Sequence, residues 1–491
     1  MVFQNNVLSG AGGSGTAVYK IDQSIRFDDA AEHYMYSPTP SSSKDFTTTA
    51  TISLWFKLGN LKAGYLAGAF YGNNNRYNIL AINASGQLLE YDRVGGASTS
   101  NGTGTIGWTT NRVFRDTSAW YHAVFVWDTT NAVQSERFRL YINGVRETDF
   151  ATDQALGASE LVYWFGKSTP TTLGAYYNAT GFADTYYFDG YMAEMHGVDG
   201  TALDQDSFGE FNSSGIWVPK EYTGGHGTDG FYIKGADASA LGTNSAANGN
   251  NFSLNGISSH DQVADSPTNN FAVANPLDSS YYMGSETFSE GNLQMTLGSS
   301  VGGLATMGIT SGKWYAEFEV HSDASGTTYF IIGIYGDQPT STQHFVGYTS
   351  NSYGYYALNG NSYTNFTSSS YGNSYTVGDV VGVAVDLDNN KLYFSKNGTF
   401  QNSGDPTSGA SGTGAISINP VSSTGLGAYF IASSSASSTP SGHTINYNFG
   451  QDGTFAGNVT AGGNSDANGV GNFKYSVPSG YLALCTKNLG S

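Results

Sequence analysis

The sequence predicts an all-β protein built as two β-sandwiches joined by an irregular linker. Three observations predict it. Among 491 residues, 14% are aromatic and 65 are glycine, while only 12% are charged. Serine, threonine and asparagine supply most of the polarity. Aromatic and β-branched residues suit a pleated, half-buried surface, and Gly, Asn and Ser suit tight turns. Second, short alternating apolar runs recur along the chain, each bounded by Gly, Asn or Asp. Third, helical periodicity is almost absent, and no apolar run approaches the roughly 18 residues of a membrane span. At about 150 residues per domain, the length suits two or three domains.

The elements follow in order. Residues 1–18 are Gly-, Ser- and Asn-rich and read as an N-terminal arm. Strand-like runs then cover Ala17–Phe27, Thr49–Leu58, Tyr77–Ile82, Gln87–Asp92, Trp120–Trp127, Phe138–Val145, Leu161–Phe165 and Tyr186–His196. Asn143-Gly144 tolerates the positive φ angles of a type I′ hairpin turn, and Asn83-Ala84-Ser85-Gly86 separates two further runs. Together they make a first sandwich over 19–223. Residues 224–285 turn polar, rich in Ala, Asn, Ser and Asp around one apolar run, Phe231-Tyr232-Ile233. They read as an irregular linker lying along a domain. A second strand-rich block over 286–455 carries Lys313–His321, Phe330–Tyr335, Val380–Leu387, Leu392–Ser395, Gly427–Ile431 and Ile445–Phe449, with Lys396-Asn397-Gly398 as another hairpin turn. The tail, 456–491, ends on Tyr481-Leu482-Ala483-Leu484-Cys485, too apolar to stay in water.

Charge removes several functions. The formal net charge is −19, with 15 basic and 23 acidic residues up to position 234 and 5 basic and 16 acidic after it. Neither half can drive phosphate-backbone binding by counterion release, so no nucleic-acid partner is expected, and no membrane insertion. The single cysteine, Cys485, allows no internal disulfide framework and no cysteine-based zinc site. The opening Met1-Val2-Phe3-Gln4-Asn5-Asn6 has neither a basic nor an apolar leader region, so no secretory signal is expected.

The first block resembles the laminin-G-like, concanavalin-A-type jelly roll. The resemblance lies in Ile52-Ser53-Leu54-Trp55-Phe56-Lys57, Trp120-Tyr121-His122-Ala123-Val124, Leu140-Tyr141-Ile142-Asn143-Gly144-Val145 and Phe188-Asp189-Gly190-Tyr191-Met192-Ala193-Glu194. The second resembles a SPRY domain, itself a concanavalin-like sandwich. Its entry strand resembles Gly312-Lys313-Trp314-Tyr315-Ala316-Glu317-Phe318-Glu319-Val320, and its central strand Val377–Asp388. Leu392–Gly398 and Asn446-Tyr447-Asn448-Phe449-Gly450 complete the set. The fold expected is therefore two concanavalin-A-like jelly-roll sandwiches. The pairing, with Asp261-Gln262-Val263 and Asp265-Ser266-Pro267-Thr268-Asn269-Asn270 between the blocks, resembles appendage proteins of tailed bacteriophages, of tail-fibre or capsid-fibre type. That resemblance implies a viral structural protein on the virion surface, assembled in the host cytoplasm. It also implies a homo-oligomer, most often a trimer, with other virion proteins and a host surface glycan as partners.

Concanavalin-like folds include glycosidases, which flank the scissile bond with two carboxyls. Glu317 and Glu319 share a face by the two-residue period but sit in the SPRY entry strand, and Asp189 and Glu194 have odd spacing. No catalytic residue is assigned and the chain is expected not to be an enzyme. A polysaccharide-degrading enzyme and a purely architectural, self-assembling subunit are the alternatives. None of the eight histidines pairs at metal-ligand spacing. The laminin-G resemblance implies a calcium ion at the loop rim, which would need oxygen ligands. Asp128, Asp184 and Asp189 are its candidates, and no other cofactor is expected.

Aromatic residues in turn-rich stretches carry the binding signal. Sugar rings stack their C–H faces on flat side chains and need Asn, Asp, Arg or Gln for their hydroxyls. Tyr71, Asn73 and Arg76 have this makeup, as do Trp108 and the Tyr176-Tyr177 pair. In the second block, Tyr353, Tyr355, Tyr356, Tyr363 and Phe366 fall where SPRY domains carry variable loops. The competing reading of each cluster is core packing or a subunit contact.

Overall fold

The computed structural model describes residues 19–38, 47–71, 76–93, 105–154, 156–165, 170–178, 181–182, 186–277, 286–297, 302–323, 326–338, 345–436 and 442–489. The N-terminal arm expected over 1–18 lies outside them. The fold is all-β, in two compact units that divide between Asn269 and Asn270. Among the described residues, no helix is long and apolar enough to cross a membrane.

The first unit is a sandwich of two eight-stranded sheets. One runs Val145–Arg146, Phe138–Ile142, Trp120–Asp128, Thr49–Leu58, Gly190–Asp199, Ser24–Phe27 and Gln262–Val263, with Phe231–Ile233 added to Gly190–Asp199. The other runs Phe150–Asp153, Thr105–Val113, Gln87–Arg93, Arg76–Ile82, Gly64–Tyr71, Thr171–Leu173, Tyr34–Tyr36 and Ser253–Asn255. The core between them follows from alternation. Ile52, Leu54 and Phe56 point inward with Phe125, Trp127 and Met192. Asn143 and Gly144 both have positive φ, 47° and 77°, as the hairpin requires.

Thr51, Ser53, Trp55 and Lys57 point to the opposite face of the same strand, yet all are buried. Residues 203–235 and 261–267 cover them. Part of the stretch expected as an irregular linker is therefore structural: its short strands at 231–233, 253–255 and 262–263 extend both sheets. Two buried ion pairs explain why it docks. Lys57 Nζ meets Asp265 at 2.7 Å and Arg26 meets Asp261 at 3.3 Å, all four side chains being fully buried. Each cation needs a partner there, because an unpaired buried charge is prohibitively costly.

The second unit packs a nine-stranded sheet on a six-stranded one. The larger is built around Lys313–Asp323, flanked by His443–Asn448 and Val380–Asp386. The smaller runs Gly302–Ile309, Tyr429–Ser435, Phe330–Tyr335, Ser352–Tyr356, Asn361–Thr364 and Thr367–Ser370. The tail closes this unit. Leu482–Ala483 pairs in parallel with Trp314 and Tyr315, and Tyr481, Leu484 and Cys485 are fully buried. Glu317 is its anchor: the carboxylate accepts the backbone N–H groups of Lys474 and Tyr475 at 2.7 and 2.8 Å and the Tyr315 hydroxyl at 3.1 Å. Glu319 accepts from Asn446 Nδ2 at 2.7 Å.

Candidate functional site

Most of the aromatics expected to bind ligand pack inside the sandwiches. Trp108 is buried, stacks on Phe138 at 4.0 Å between centroids and donates its indole N–H to Asp153. Tyr176 is buried between Tyr65 and Tyr77, with Tyr177 half-buried against the same cluster. Tyr353 and Tyr355 lie two apart on the strand Ser352–Tyr356 and share its core-facing side. The Tyr355 hydroxyl donates to the Asn373 carbonyl, and Tyr356 is buried against Tyr363. Gly354, between the tyrosines, looks like a loop residue but belongs to the strand, where a Cβ would lie 2.3 Å from the Ile331 side chain. Tyr71 and Arg76 face each other in strand register across a hairpin, and Asn73 lies outside the described residues. Tyr363 is half-buried, and Phe366, at the tip of the hairpin joining Asn361–Thr364 and Thr367–Ser370, is 65% exposed.

A different set of aromatics forms a cleft. On the outer face of the first sheet, Trp55, Trp120, Asn143, Phe211 and Trp217 line a space of about 260 Å³. Each indole is held rigidly. Trp217 donates its N–H to His122 Nδ1 at 3.0 Å and packs edge-on to Phe211. Its ring fills room kept by two glycines: a Cβ on Gly144 or Gly209 would lie 2.1 or 2.3 Å from it. Trp55 stacks on the His122 ring at 4.6 Å. Trp120 donates to Asp265 Oδ1 at 2.9 Å. The hairpin turn Asn143-Gly144 thus supplies both a polar wall residue and the space for Trp217.

Beneath the cleft lies a closed polar network with no room for water. An indole N–H can only donate, so His122 Nδ1 accepts, and its single proton sits on Nε2, 2.9 Å from Ser53 Oγ. Burial, with a smaller contribution from His196, pushes His122 down to about 3. Farther along, Glu194 sits at a register shift of the strand Gly190–Asp199 with a left-handed φ of 48°. It accepts hydroxyls from Tyr232 at 2.8 Å and Tyr19 at 3.0 Å and lies 3.5 Å from His196 Nε2. Burial raises its carboxyl, and the hydrogen bonds from His196, Tyr232 and Tyr19 outweigh that and hold it below the usual range. His196 Nδ1 in turn meets His226 Nε2 at 3.1 Å, and burial pushes His226 down to about 4. All of these side chains are engaged with one another under the covering segment.

The three aspartates proposed for calcium separate. Asp184 lies outside the described residues. Asp128 closes its own turn, accepting from Thr130 and Asn131. Asp189 instead joins Asp28 and Asp29, and carboxylate oxygens of the three lie within 4.8 Å of one another.

Residues 29–206 match the Concanavalin A-like lectin/glucanases superfamily, and residues 313–418 match the SPRY domain. The chain is a concanavalin-like domain followed by a SPRY domain. Solved structures similar to part of the chain include three of different kinds. A SPRY domain of human HERC1 is 21% identical, with 32% of this chain and 87% of that one covered and a TM-score of 0.25. A candidate carbohydrate-binding protein from Bacteroides ovatus ATCC 8483 is 18% identical, with 49% of this chain and 60% of that one covered and a TM-score of 0.29. A heptameric SAP-like pentraxin from Limulus polyphemus is 15% identical, with 35% and 78% covered and a TM-score of 0.24. No curated protein matches the chain. Both domains are binding-type folds, the first of them lectin-like.

The sequence held one overlooked signal for the cleft. In Ile52-Ser53-Leu54-Trp55-Phe56-Lys57, the alternation that sends Leu54 and Phe56 into the core puts Trp55 and Lys57 on the far face. A tryptophan and a lysine buried there imply a second layer above the sheet.

Proposed function

We propose that this protein is a non-catalytic glycan-binding protein, and that the tryptophan-lined cleft of its concanavalin-like domain holds the sugar. The observation that carries this reading is the cleft itself. Three fixed indoles surround a space large enough for one or two pyranose rings, with Asn143 beside them. Flat rings locked before binding lose little conformational entropy when a sugar stacks on them. The family-level resemblance to phage appendages supplies the setting: a tail-fibre or capsid-fibre subunit, oligomeric and most often trimeric, exposed on the virion and directed at a host surface glycan.

A glycan array on the full-length chain, followed by calorimetry with the best ligand, tests this. Trp120→Ala and Phe211→Ala should each weaken binding by about tenfold or more, which corresponds to roughly 1.4 kcal/mol. Unchanged affinity in both variants would overturn the assignment of the cleft. Release of reducing ends from the bound polysaccharide would overturn the non-catalytic reading.

A second reading, attachment to a neighbouring virion protein or to another subunit, rests on Phe366. Its ring is 65% exposed at a left-handed φ of 55°, beside Asn365 at 47°. A bulky residue held this way in water suits a contact surface. Phe366→Ser should change sedimentation or particle attachment while leaving sugar affinity intact.

A further inference from the structure

We propose that the sugar taken by the tryptophan-lined cleft is uncharged and carries an acetyl group, and that Asn143 reads the acetyl carbonyl. The inference rests on the cleft being the sugar site. Its basis is what the walls offer and what they lack. Among the described residues, none that lines the cleft is charged. Lys57 shares a strand face with Trp55, but it is fully buried and held by Asp265 at 2.7 Å. A carboxylate, sulfate or phosphate entering here would give up hydration without gaining an ion pair, on a chain whose net charge is −19.

The hydrogen-bonding groups of the wall are few and mostly spent. Trp120 and Trp217 give their indole N–H groups to Asp265 and His122. Asn143 Oδ1 accepts the backbone N–H of His122 at 2.7 Å. A backbone N–H only donates, so this bond fixes which end of the amide is oxygen. Asn143 Nδ2 has no partner among the described residues and keeps its N–H groups for a ligand. The residue is set in the hairpin turn at a φ of 47°, so the donor is presented by a rigid turn. The remaining wall is apolar: Phe211, 52% exposed, with Ala119, Ile216 and Pro267. A plain hexose matches such a wall poorly. Its hydroxyls donate as well as accept, and the acceptor end of Asn143 is already engaged. An acetyl group matches both halves. Its carbonyl only accepts, as Asn143 Nδ2 requires, and its methyl suits the aromatic and aliphatic wall. N-acetyl and O-acetyl sugars present the same carbonyl and methyl.

A glycan array built of matched pairs tests this and separates the two sources. One set pairs N-acetyl with hydroxyl at the same ring position, and the other pairs O-acetylated glycans with the same glycans after mild alkaline deacetylation. Calorimetry on the full-length chain then measures the strongest pair. The acetylated member should bind on the order of tenfold tighter, and rings bearing a carboxylate, sulfate or phosphate should rank below neutral ones. Asn143→Asp keeps the acceptor for His122 and a residue type that the turn tolerates, but it loses the N–H donors. Its preference for the acetylated member should fall towards parity while the unfolding midpoint stays near that of the wild type. Equal binding of both members by the wild type, tighter binding of acidic rings, or a preference that Asn143→Asp leaves unchanged would overturn this inference. If Trp120→Ala and Phe211→Ala still weaken binding in those cases, the cleft remains the sugar site. Binding indifferent to both of those variants, or no binding on the array, would overturn the cleft assignment and this inference with it.

Discussion

Lowering the pH should destabilise the first unit through His122, and the size of the effect follows from its two hydrogen bonds. The ring is 1% exposed and its Nδ1 faces a donor, the Trp217 indole N–H. Adding a proton to Nδ1 would set two N–H groups against each other in a place where water cannot enter. The folded ring therefore stays neutral down to about 3, whereas an unfolded histidine titrates near 6.5. Below pH 6.5 the unfolded chain gains a proton that the folded chain refuses, so stability falls by about 1.4 kcal/mol for each further pH unit until pH 3. At pH 5 the loss from His122 alone is about 2 kcal/mol. His226 and His33, both held low first of all by burial, act in the same direction. Urea unfolding followed by tryptophan fluorescence isolates this unit, because six of the seven tryptophans lie between Trp55 and Trp217. His122→Gln lowers stability at neutral pH by losing the stack on Trp55, but it should remove about 2 kcal/mol from the fall between pH 7 and pH 5. An unchanged slope in the variant would refute the protonation argument.

The second unit should respond to pH with the opposite sign. Burial lifts Glu317 up to about 7, against the hydrogen bonds from Lys474, Tyr475, Tyr315 and Asn448, so the folded unit keeps a proton that the unfolded chain loses above about pH 4.5. Stability should rise as pH falls from 7 to 4.5, and hydrogen exchange in the strand Lys313–Asp323 should slow over that window in wild type but not in Glu317→Gln. Breaking the buried pair with Lys57→Met should cost about 3–5 kcal/mol in thermal unfolding, and adding Asp265→Asn should recover part of it by removing the stranded charge.

The sequence made legible whatever depends on local period. The hairpins at Asn143-Gly144 and Asn397-Gly398 have the positive φ values that their residue types suggest, and the inward set Ile52, Leu54, Phe56 follows from strict alternation. The same rule applied to Tyr353 and Tyr355 would have placed them inside, but the glycine and tyrosine density around them mimics a loop. The cleft was hidden for a different reason. Trp55, Trp120 and Trp217 come from two strands of one sheet and from the covering segment, and that segment has no periodic signal because most of it is turns. Likewise, nothing local distinguishes Asp189 as one corner of a cluster. Its neighbours Asp28 and Asp29 stand far off in sequence and reach it only through the pairing of Phe27 with Gly190.

A sheet with one face in the core ordinarily leaves the other to water, and alternation then makes that face polar. Here the outward set keeps the polar and charged residues of such a face, Ser53, Lys57, His122, Glu194 and His196, but buries them under a second layer. Each group must then find a fixed partner, and the partners come from far along the chain: Asp265 for Lys57, Trp217 for His122, Tyr232 for Glu194. Satisfying these groups anchors the covering segment at defined points. Between two of the anchors, Asp265 gripping Trp120 and His122 gripping Trp217, the layer stands away from the sheet and the cleft opens. The hydrogen bonds that make burial tolerable are thus the same ones that orient the indoles. Removing the His122 acceptor with His122→Phe should therefore weaken the proposed sugar binding at neutral pH while the unit stays folded. If affinity in the folded variant instead equals that of the wild type, the coupling between the buried network and the cleft is absent.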